Sequence, residues 1–248
     1  GVRDAADLAL ITPAMTSTNL GPGRDKILLR GLSDGPLTGR TQSMVGLYLD
    51  DVRLTYNAPD PDLRLVDMDR VEVLRGPQGA LYGSGSLGGV VRMSSAPPDR
   101  DQRAGWIGVS GGLTRGGAAS NAVEGMLNLP IASSHGAARL VAYREVQGGY
   151  VDDPRRSAAD TNTSVRTGGR LTASLTLSPA WTVAAGGVLQ RINTADSQYA
   201  LVDAPRYTRA NRVAEPHDND FSEAHLTLSG DFGWGDLHTS AALVRHEV

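Results

Sequence analysis

Three short patterns in this sequence carry residue types that do chemistry elsewhere. Gly31-Leu32-Ser33-Asp34-Gly35 has the spacing of a nucleophile elbow, in which a serine stands exposed on a sharp turn between a strand and a helix. It follows a short apolar stretch, Lys26 to Leu29, but Pro36 and further glycine come next, where the elbow requires a helix. Gly83-Ser84-Gly85-Ser86-Leu87-Gly88 fits the dinucleotide fingerprint, which works by aiming the free amides of a helix N-terminus at a pyrophosphate. This stretch runs on into Gly89-Val90-Val91-Arg92-Met93, a strand by composition, and no strand-helix-strand unit surrounds it. Tyr48-Leu49-Asp50-Asp51 pairs two carboxylates, as polymerases do, but a two-metal site needs a third carboxylate and a basic cleft. The pair reads better as a turn ending the strand Val45 to Leu49. The five histidines (His135, His217, His225, His238, His246) show no ligand spacing. The sequence therefore predicts no catalytic, cofactor-binding or metal-binding residues, and a soluble α/β serine hydrolase or nucleotide-binding enzyme stands only as the alternative.

The elements that would have to position such residues point elsewhere. With 24 basic and 27 acidic residues among 248, the formal charge is -3, and arginine is scattered rather than blocked, which argues against a nucleic-acid partner. The absence of Cys excludes disulfides, thiolate zinc sites and a Cys nucleophile, and leaves the compartment open. Apolar runs such as Trp181 to Leu189 fall short of the ~20 residues of a membrane-spanning helix. Thirty glycines, two phenylalanines and a 40% hydrophobic content suit short strands and turns. The chain begins without Met and stops while His238 to Arg245 still alternates, so we expect a piece of a longer protein. Composition divides it near Pro97-Pro98. Before that point lie short β-rich stretches (Lys26 to Leu29, Val45 to Leu49, Val71 to Leu74, Val90 to Met93), with short helical turns expected at Leu8 to Ala14 and Asp67 to Arg70. After it, strands of about ten residues alternate apolar and polar, the length a tilted membrane strand needs.

The pattern predicts seven such strands, at 104–114, 119–131, 136–149, 165–178, 181–194, 221–232 and 236–248. Leu171, Ala173, Leu175 and Leu177 take one face and Arg170, Thr172, Ser174 and Thr176 the other. A soluble sandwich would alternate in the same way. Connections at 132–135, 179–180 and 233–235 are tight, whereas 150–164 and 195–220 are long and polar, the asymmetry of outer-membrane barrels, from which the short connection 115–118 departs. Trp106, Trp181, Phe232 and Trp234 all fall at the short-turn end, as one girdle of an aromatic belt would.

Arg70-Val71-Glu72-Val73-Leu74-Arg75-Gly76-Pro77-Gln78-Gly79-Ala80-Leu81-Tyr82-Gly83-Ser84-Gly85-Ser86-Leu87-Gly88-Gly89 closely resembles the plug-domain signature of TonB-dependent outer-membrane receptors. Ile27-Leu28-Leu29-Arg30-Gly31, Gly46 to Val52 and Asp67 to Arg70 stand in the order the family has, and Leu127-Asn128-Leu129-Pro130, Arg139 to Arg144 and Gly148-Gly149-Tyr150 look like its first barrel strands. Ala80 stands where relatives often carry Thr. The resemblance implies a mainly β chain: an α+β plug over 1–98, truncated at its start, then at 99–248 the N-terminal strands of an antiparallel transmembrane β-barrel of 22 strands when complete. It marks Glu72, Arg75, Gly76, Pro77, Gly79, Tyr82, Gly83, Gly88 and Gly89 as signature positions. Arg30 and Arg75, each closing an apolar strand before Gly, are expected to latch the plug to acidic residues on strands beyond Val248, because a buried guanidinium must be paired. Asp34, Thr38, Arg40, Gln42, Arg53, Tyr56 and Asn57 are expected at substrate-facing plug apices, with the connections at 150–164 and 195–220 above them. The glycines of 76–89 permit positive φ and close backbone approach. The implied function is energy-coupled import of a scarce nutrient, foremost a ferric siderophore, in the bacterial outer membrane, with TonB recruited by the segment before Gly1. Outer-membrane lipid and the small-molecule substrate are the other partners. A non-transporting surface signalling receptor shares the fold.

Overall fold

The computed structural model describes residues 2–32, 41–54, 57–131, 135–203 and 207–248. The chain opens with a helix, Ala5–Ile11 (α1), which Asp4 caps by accepting the amide of Asp7 at 2.9 Å and which stops before Pro13. Seven short strands and a second helix come after it: Met15–Ser17 (β1), Ile27–Leu29 (β2), Thr41–Gln42 (β3), Val45–Leu49 (β4), Val52–Arg53 (β5), Asn57–Ala58 (β6), Met68–Arg75 (β7) and then Gly79–Tyr82 (α2). Gly89–Ser95 (β8) closes this part. β8 lies between β4, which it joins in parallel, and β7, which it joins antiparallel, in a four-stranded sheet of order β5-β4-β8-β7. The parallel partner sets the composition of β8: buried on both faces, it is a run of Val90, Val91 and Met93 without strict alternation.

Seven long strands make one antiparallel sheet in sequence order: Ala104–Leu113 (β9), Ala119–Ile131 (β10), Gly136–Gln147 (β11), Ser164–Ser178 (β12), Trp181–Thr194 (β13), His217–Asp231 (β14) and Asp236–Glu247 (β15). The sequence pattern placed all seven, and the largest difference is that β14 begins at His217 rather than 221. The two faces differ. Val141, Tyr143, Val188, Gln190, Ile192 and Phe221 are buried on the inner face, against the N-terminal part, while Leu127, Leu140, Leu171, Leu189, Leu226 and Leu243 stand exposed on the outer one. The main core joins Leu29, Val45, Leu47, Leu49, Leu54, Val91 and Met93 to Val188 and Phe221, so the small sheet packs directly on the wall of the large one. Among the described residues no helix is long and apolar enough to cross a membrane, which says nothing of strands.

Three local expectations differ from the structure. The first helix is Ala5–Ile11, one turn earlier than expected, because Asp4 supplies the cap. Residues 67–70 are not helical: Asp67 takes a left-handed φ of 56° and the chain then enters β7. Trp106 does not join an outer girdle. It lies opposite Met126, which packs on Val66, Val141 and Tyr143 of the inner face. Trp181, Phe232 and Trp234 do form a contiguous aromatic set at the short-turn end, with ring centroids 5.2 and 5.9 Å apart.

Candidate functional site

The segment 60–67, irregular between β6 and β7, lies against the inner face of β10 to β13 and is fastened there by charge. Arg166 of β12 points inward and is buried among three carboxylates: Asp62, with which it makes a short contact, Glu145 at 3.3 Å and Asp4 at 3.4 Å. Arg64 runs the opposite way, from the small domain to the wall, and reaches Glu145 at 3.0 Å and Glu124 at 3.1 Å. Asp67 receives Arg139 in a two-pronged pair at 2.6 and 2.7 Å, the fork geometry that adds direction to charge. Arg170 donates to the carbonyls of Val66 and Asp67 at 3.2 and 2.7 Å. Between these pairs the Gln190 amide is saturated. Its nitrogen donates to Pro61 and Asp62 carbonyls at 2.9 and 3.2 Å, and its oxygen accepts the Arg64 amide at 3.0 Å and the Tyr143 hydroxyl at 2.9 Å.

Carboxylates outnumber guanidinium groups in this cluster, and the electrostatics reflect it. Burial pushes the Asp62 carboxyl up to about 6, against the pull of the Arg166 guanidinium, and the like charge of Asp4 adds to the rise. Burial likewise pushes Asp25 up to about 6, although the Leu20 amide hydrogen-bonds to it. Among the described residues no group of three or more His, Asp or Glu is arranged to hold a metal ion. What this arrangement does chemically is hold one folded part against another through contacts that ionisation and local motion can break.

At the long-connection end, the two long connections form one body. Arg156 reaches Asp196 at 2.6 Å, and buried Arg209 reaches Asp196 at 2.9 Å, the Ser197 carbonyl at 2.8 Å and Glu215 at 2.8 Å. Burial pushes the Asp196 carboxyl up, but the hydrogen bond from Arg156 and those from the Glu215 and Ser197 amides outweigh it and hold the group below its ordinary value. Tyr150 and Tyr207 meet edge to face, 5.3 Å apart. The loop 18–25 of the N-terminal part comes up against this body. Gln198 donates to the Asn19 carbonyl at 2.8 Å, and Asn219 donates to the Gly23 carbonyl at 2.7 Å. At the other end Asn128, fully buried, brackets the connection between the two parts, donating to the carbonyls of Asp99 and Gln102 at 2.8 and 2.6 Å and accepting the Asp99 amide at 2.9 Å.

Residues 1–90 match the family described as TonB-dependent Receptor Plug Domain. Residues 1–90 are thus a plug domain of the TonB-dependent receptor type. The chain is 33% identical over 106 residues to the ferrioxamine B receptor of Salmonella typhimurium, a match that takes in 41% of this chain and 14% of that protein. It is 34% identical over 105 residues to the pesticin receptor of Yersinia enterocolitica, covering 42% of this chain and 15% of that receptor. In structure it is similar to the ferric yersiniabactin uptake receptor of Yersinia pestis, with a TM-score of 0.80 and 19% identity over 99% of this chain and 39% of that one. The ferripyoverdine receptor of Pseudomonas aeruginosa gives 0.72 and 18% over 97% of this chain and 32% of its own. The chain thus spans well under half the length of each of these relatives.

In this plug domain the signature is a closed loop between β7 and β8. Gly76 donates its amide to Gly88 and Gln78 to Ser86, both at 3.0 Å, which folds Pro77, Gly79, Tyr82 and Gly83 into the turn carrying α2. Tyr82 packs edge to face on Tyr48, whose hydroxyl donates to the Tyr82 carbonyl at 2.8 Å. Gly89 is required by contact, since at φ 141° a Cβ would run into the Leu74 carbonyl. The Gly83 to Gly88 stretch leads into β8, so its helix-borne dinucleotide geometry is absent, and Asp50-Asp51 forms the turn between β4 and β5. There Asp50 accepts the Ser95 amide at 2.7 Å, and Asp51 pairs with Arg92 at 3.3 Å and His238 at 2.8 Å.

The sequence-derived site residues scatter. Glu72 sits on β7, 3.5 Å from Arg70 and 4.0 Å from Arg92. Arg30, at a left-handed φ of 54°, and Arg75 are exposed, with no carboxylate paired to either among the described residues. Gln42 and Asn57 are brought together, opposite one another in the β3–β6 pair and exposed. Arg53 instead turns toward the signature loop and donates to the Ser84 carbonyl. Asp34, Thr38, Arg40 and Tyr56, and Ser33 of the elbow pattern, lie outside the described residues. Sequence reasoning missed the wall cations Arg139, Arg166 and Arg170 and their plug partners. The one available signal was a charge on the inward-facing phase of an alternating strand, as at Arg166 and Arg170.

Proposed function

We propose that this chain is part of an energy-coupled outer-membrane importer, with residues 1–98 as plug and 99–248 as the opening strands of the barrel wall. The observation that carries this is the charge lattice around Arg166, Arg64 and Asp67, which holds the plug to the wall through breakable polar contacts. The apolar outer face and the aromatic set at Trp181, Phe232 and Trp234 suit a membrane, with the short turns on the periplasmic side. A ferric siderophore is the substrate we propose, because relatives with this fold carry the names ferrioxamine B, ferric yersiniabactin and ferripyoverdine receptor. Substrate meets loop 18–25, the apex formed by Gln42 and Asn57, and the joined connections 148–163 and 195–216. TonB joins by strand addition to a segment preceding Gly1. Arg30 and Arg75, exposed in this chain, take acidic partners on further wall strands. Uptake of radiolabelled iron on ferrioxamine-, yersiniabactin- and pyoverdine-type siderophores, by cells expressing the full-length receptor with and without TonB, tests this. Uptake that needs TonB is expected for one of them; uptake of none, or uptake indifferent to TonB, defeats the proposal.

A further inference from the structure

The outer face of the wall is apolar over most of its height, and one arginine there stands without a carboxylate. On β11 the outward residues rise from Gly136 through Ala138, Leu140 and Ala142 to Arg144. Arg144 stands about eight residues above Gly136, which at ~3.3 Å per residue and a tilt of ~40° is ~20 Å, the upper part of an apolar band ~25 Å tall. Its neighbours in register are Val123 on β10 and Thr167 on β12. Two other outward arginines at the same end are neutralised within the protein, Arg191 by Asp220 at 2.9 Å and Arg245 by Glu247. Arg144 is exposed and has no paired carboxylate among the described residues.

Below Arg144 the surface is hollow. Gly125, Ala142 and Gly169 stand side by side in register, so three adjacent strands present almost no side chain, and the next row, Leu127, Leu140 and Leu171, is large. The result is a shallow groove of about 890 Å³ with Gly125 and Ala142 as floor, Leu127 and Leu140 as lower wall, and Arg144 and Thr167 at its head. An apolar trough ended by a guanidinium and a hydroxyl matches an amphiphile with acyl chains and an anionic head. We propose that this groove seats a phosphorylated glycolipid of the outer leaflet, its phosphate on Arg144 and Thr167 and one chain along Gly125 and Ala142. A phosphate offers the guanidinium a charge-assisted pair that no protein group supplies here. The proposal rests on the outer-membrane reading above, because the long-connection end must face the outer leaflet.

The test uses the full-length receptor in phosphatidylcholine nanodiscs containing a small fixed fraction of bisphosphorylated lipid A, with bound lipid A counted by native mass spectrometry. Arg144→Gln is expected to retain about fivefold less lipid A than wild type, the usual worth of one arginine at an anionic lipid surface. Arg144→Lys keeps most of the binding, Arg245→Gln leaves it unchanged, and fully dephosphorylated lipid A is retained no better by wild type than by Arg144→Gln. Equal retention of bisphosphorylated lipid A by wild type and Arg144→Gln, both showing the heat-modifiable gel mobility of a folded barrel, overturns the proposal. Protease cleavage within 195–216 on intact cells checks the orientation separately. A protected loop would remove the membrane reading together with the groove, whereas a cleaved loop with Arg144-independent lipid binding removes the groove alone.

Discussion

Replacing Arg166 with Met in the full-length receptor removes the cation from three carboxylates while keeping the side chain's bulk. Arg166 is buried, and so are Asp4, Asp62 and Glu145 around it. Breaking a buried ion pair from one side costs about 3–5 kcal/mol, because the abandoned charges cannot reach water. The cost should depend on pH, and Asp62 sets the direction. A carboxyl whose folded pKa is raised above its unfolded value binds its proton more tightly in the folded chain. Asp62 therefore disfavours the fold increasingly as pH rises from the ordinary 3.8 to about 6, and by a constant amount, about 3 kcal/mol, above that. In the variant the opposing cation is gone and the carboxyl climbs further, so at pH 8 the penalty is full. At pH 5 Asp62 is neutral, and what remains is a poorly bonded polar group, about 1–3 kcal/mol. Hydrogen exchange of the 60–68 amides, corrected for intrinsic rate, reads this directly. Protection should fall at least about a hundredfold at pH 8, the equivalent of 3 kcal/mol, and markedly less at pH 5. Adding Asp62→Leu to the variant should restore part of the loss. Unchanged protection of 60–68 at pH 8, or an equal loss at both pH values, would refute the assignment of Arg166 as the centre of the plug's attachment.

Other outcomes rest on particular contacts. Gly23 has φ 72°, and a Cβ there would sit 2.8 Å from the Asn219 Cβ, so Gly23→Ala should destabilise the docking of loop 18–25 by about 1–3 kcal/mol, seen as faster exchange at residues 18–25 with the wall strands unaffected. Arg156→Ala removes the 2.6 Å pair with Asp196 that joins the two long connections, leaving Asp196 to Arg209, and should loosen their coupling by about 1–3 kcal/mol, raising exchange in both 148–163 and 195–216 at once; loss confined to one of them would contradict the single-body geometry. Asn128→Ala frees the backbone at 99–102 and should speed trypsin cleavage after Arg100 and Arg103, which are already exposed, with an unchanged digestion rate counting against the bracket. Arg30→Ala and Arg75→Ala in the full-length receptor should weaken plug protection and transport, and variants normal in both would exclude the latch.

Much of the fold was legible because it is locally written. Alternation located all seven wall strands, since one face meets the plug and the other is apolar, and the signature located the β7–β8 loop because Gly76 and Gly89 answer to backbone geometry. The attachment was not legible. Asp4 and Arg166 are 162 positions apart, and Asp67 and Arg139 72, so no periodicity or spacing couples them. The same contact explains the misplaced helical turn at 67–70, where Asp67 is drawn to Arg139 and Arg170 on the wall and its local preference is overridden. Trp106 shows the converse limit: its position at a strand end was clear, but its face depended on pairing with Met126.

The parallel pairing of β4 with β8 has a consequence for how the chain reaches this state. A parallel pair cannot zip up from a tight turn, and here about forty residues must be looped out before Val45 meets Gly89, which places the step among the slow ones of folding. The core of that sheet is completed by Val188 and Phe221, which leave the ribosome a hundred or so residues later. The plug is thus made first and finished last. During the interval Leu29, Leu47 and Leu54 have no wall to complete their cover, so the nascent N-terminal part stays open to aggregation until β13 and β14 arrive.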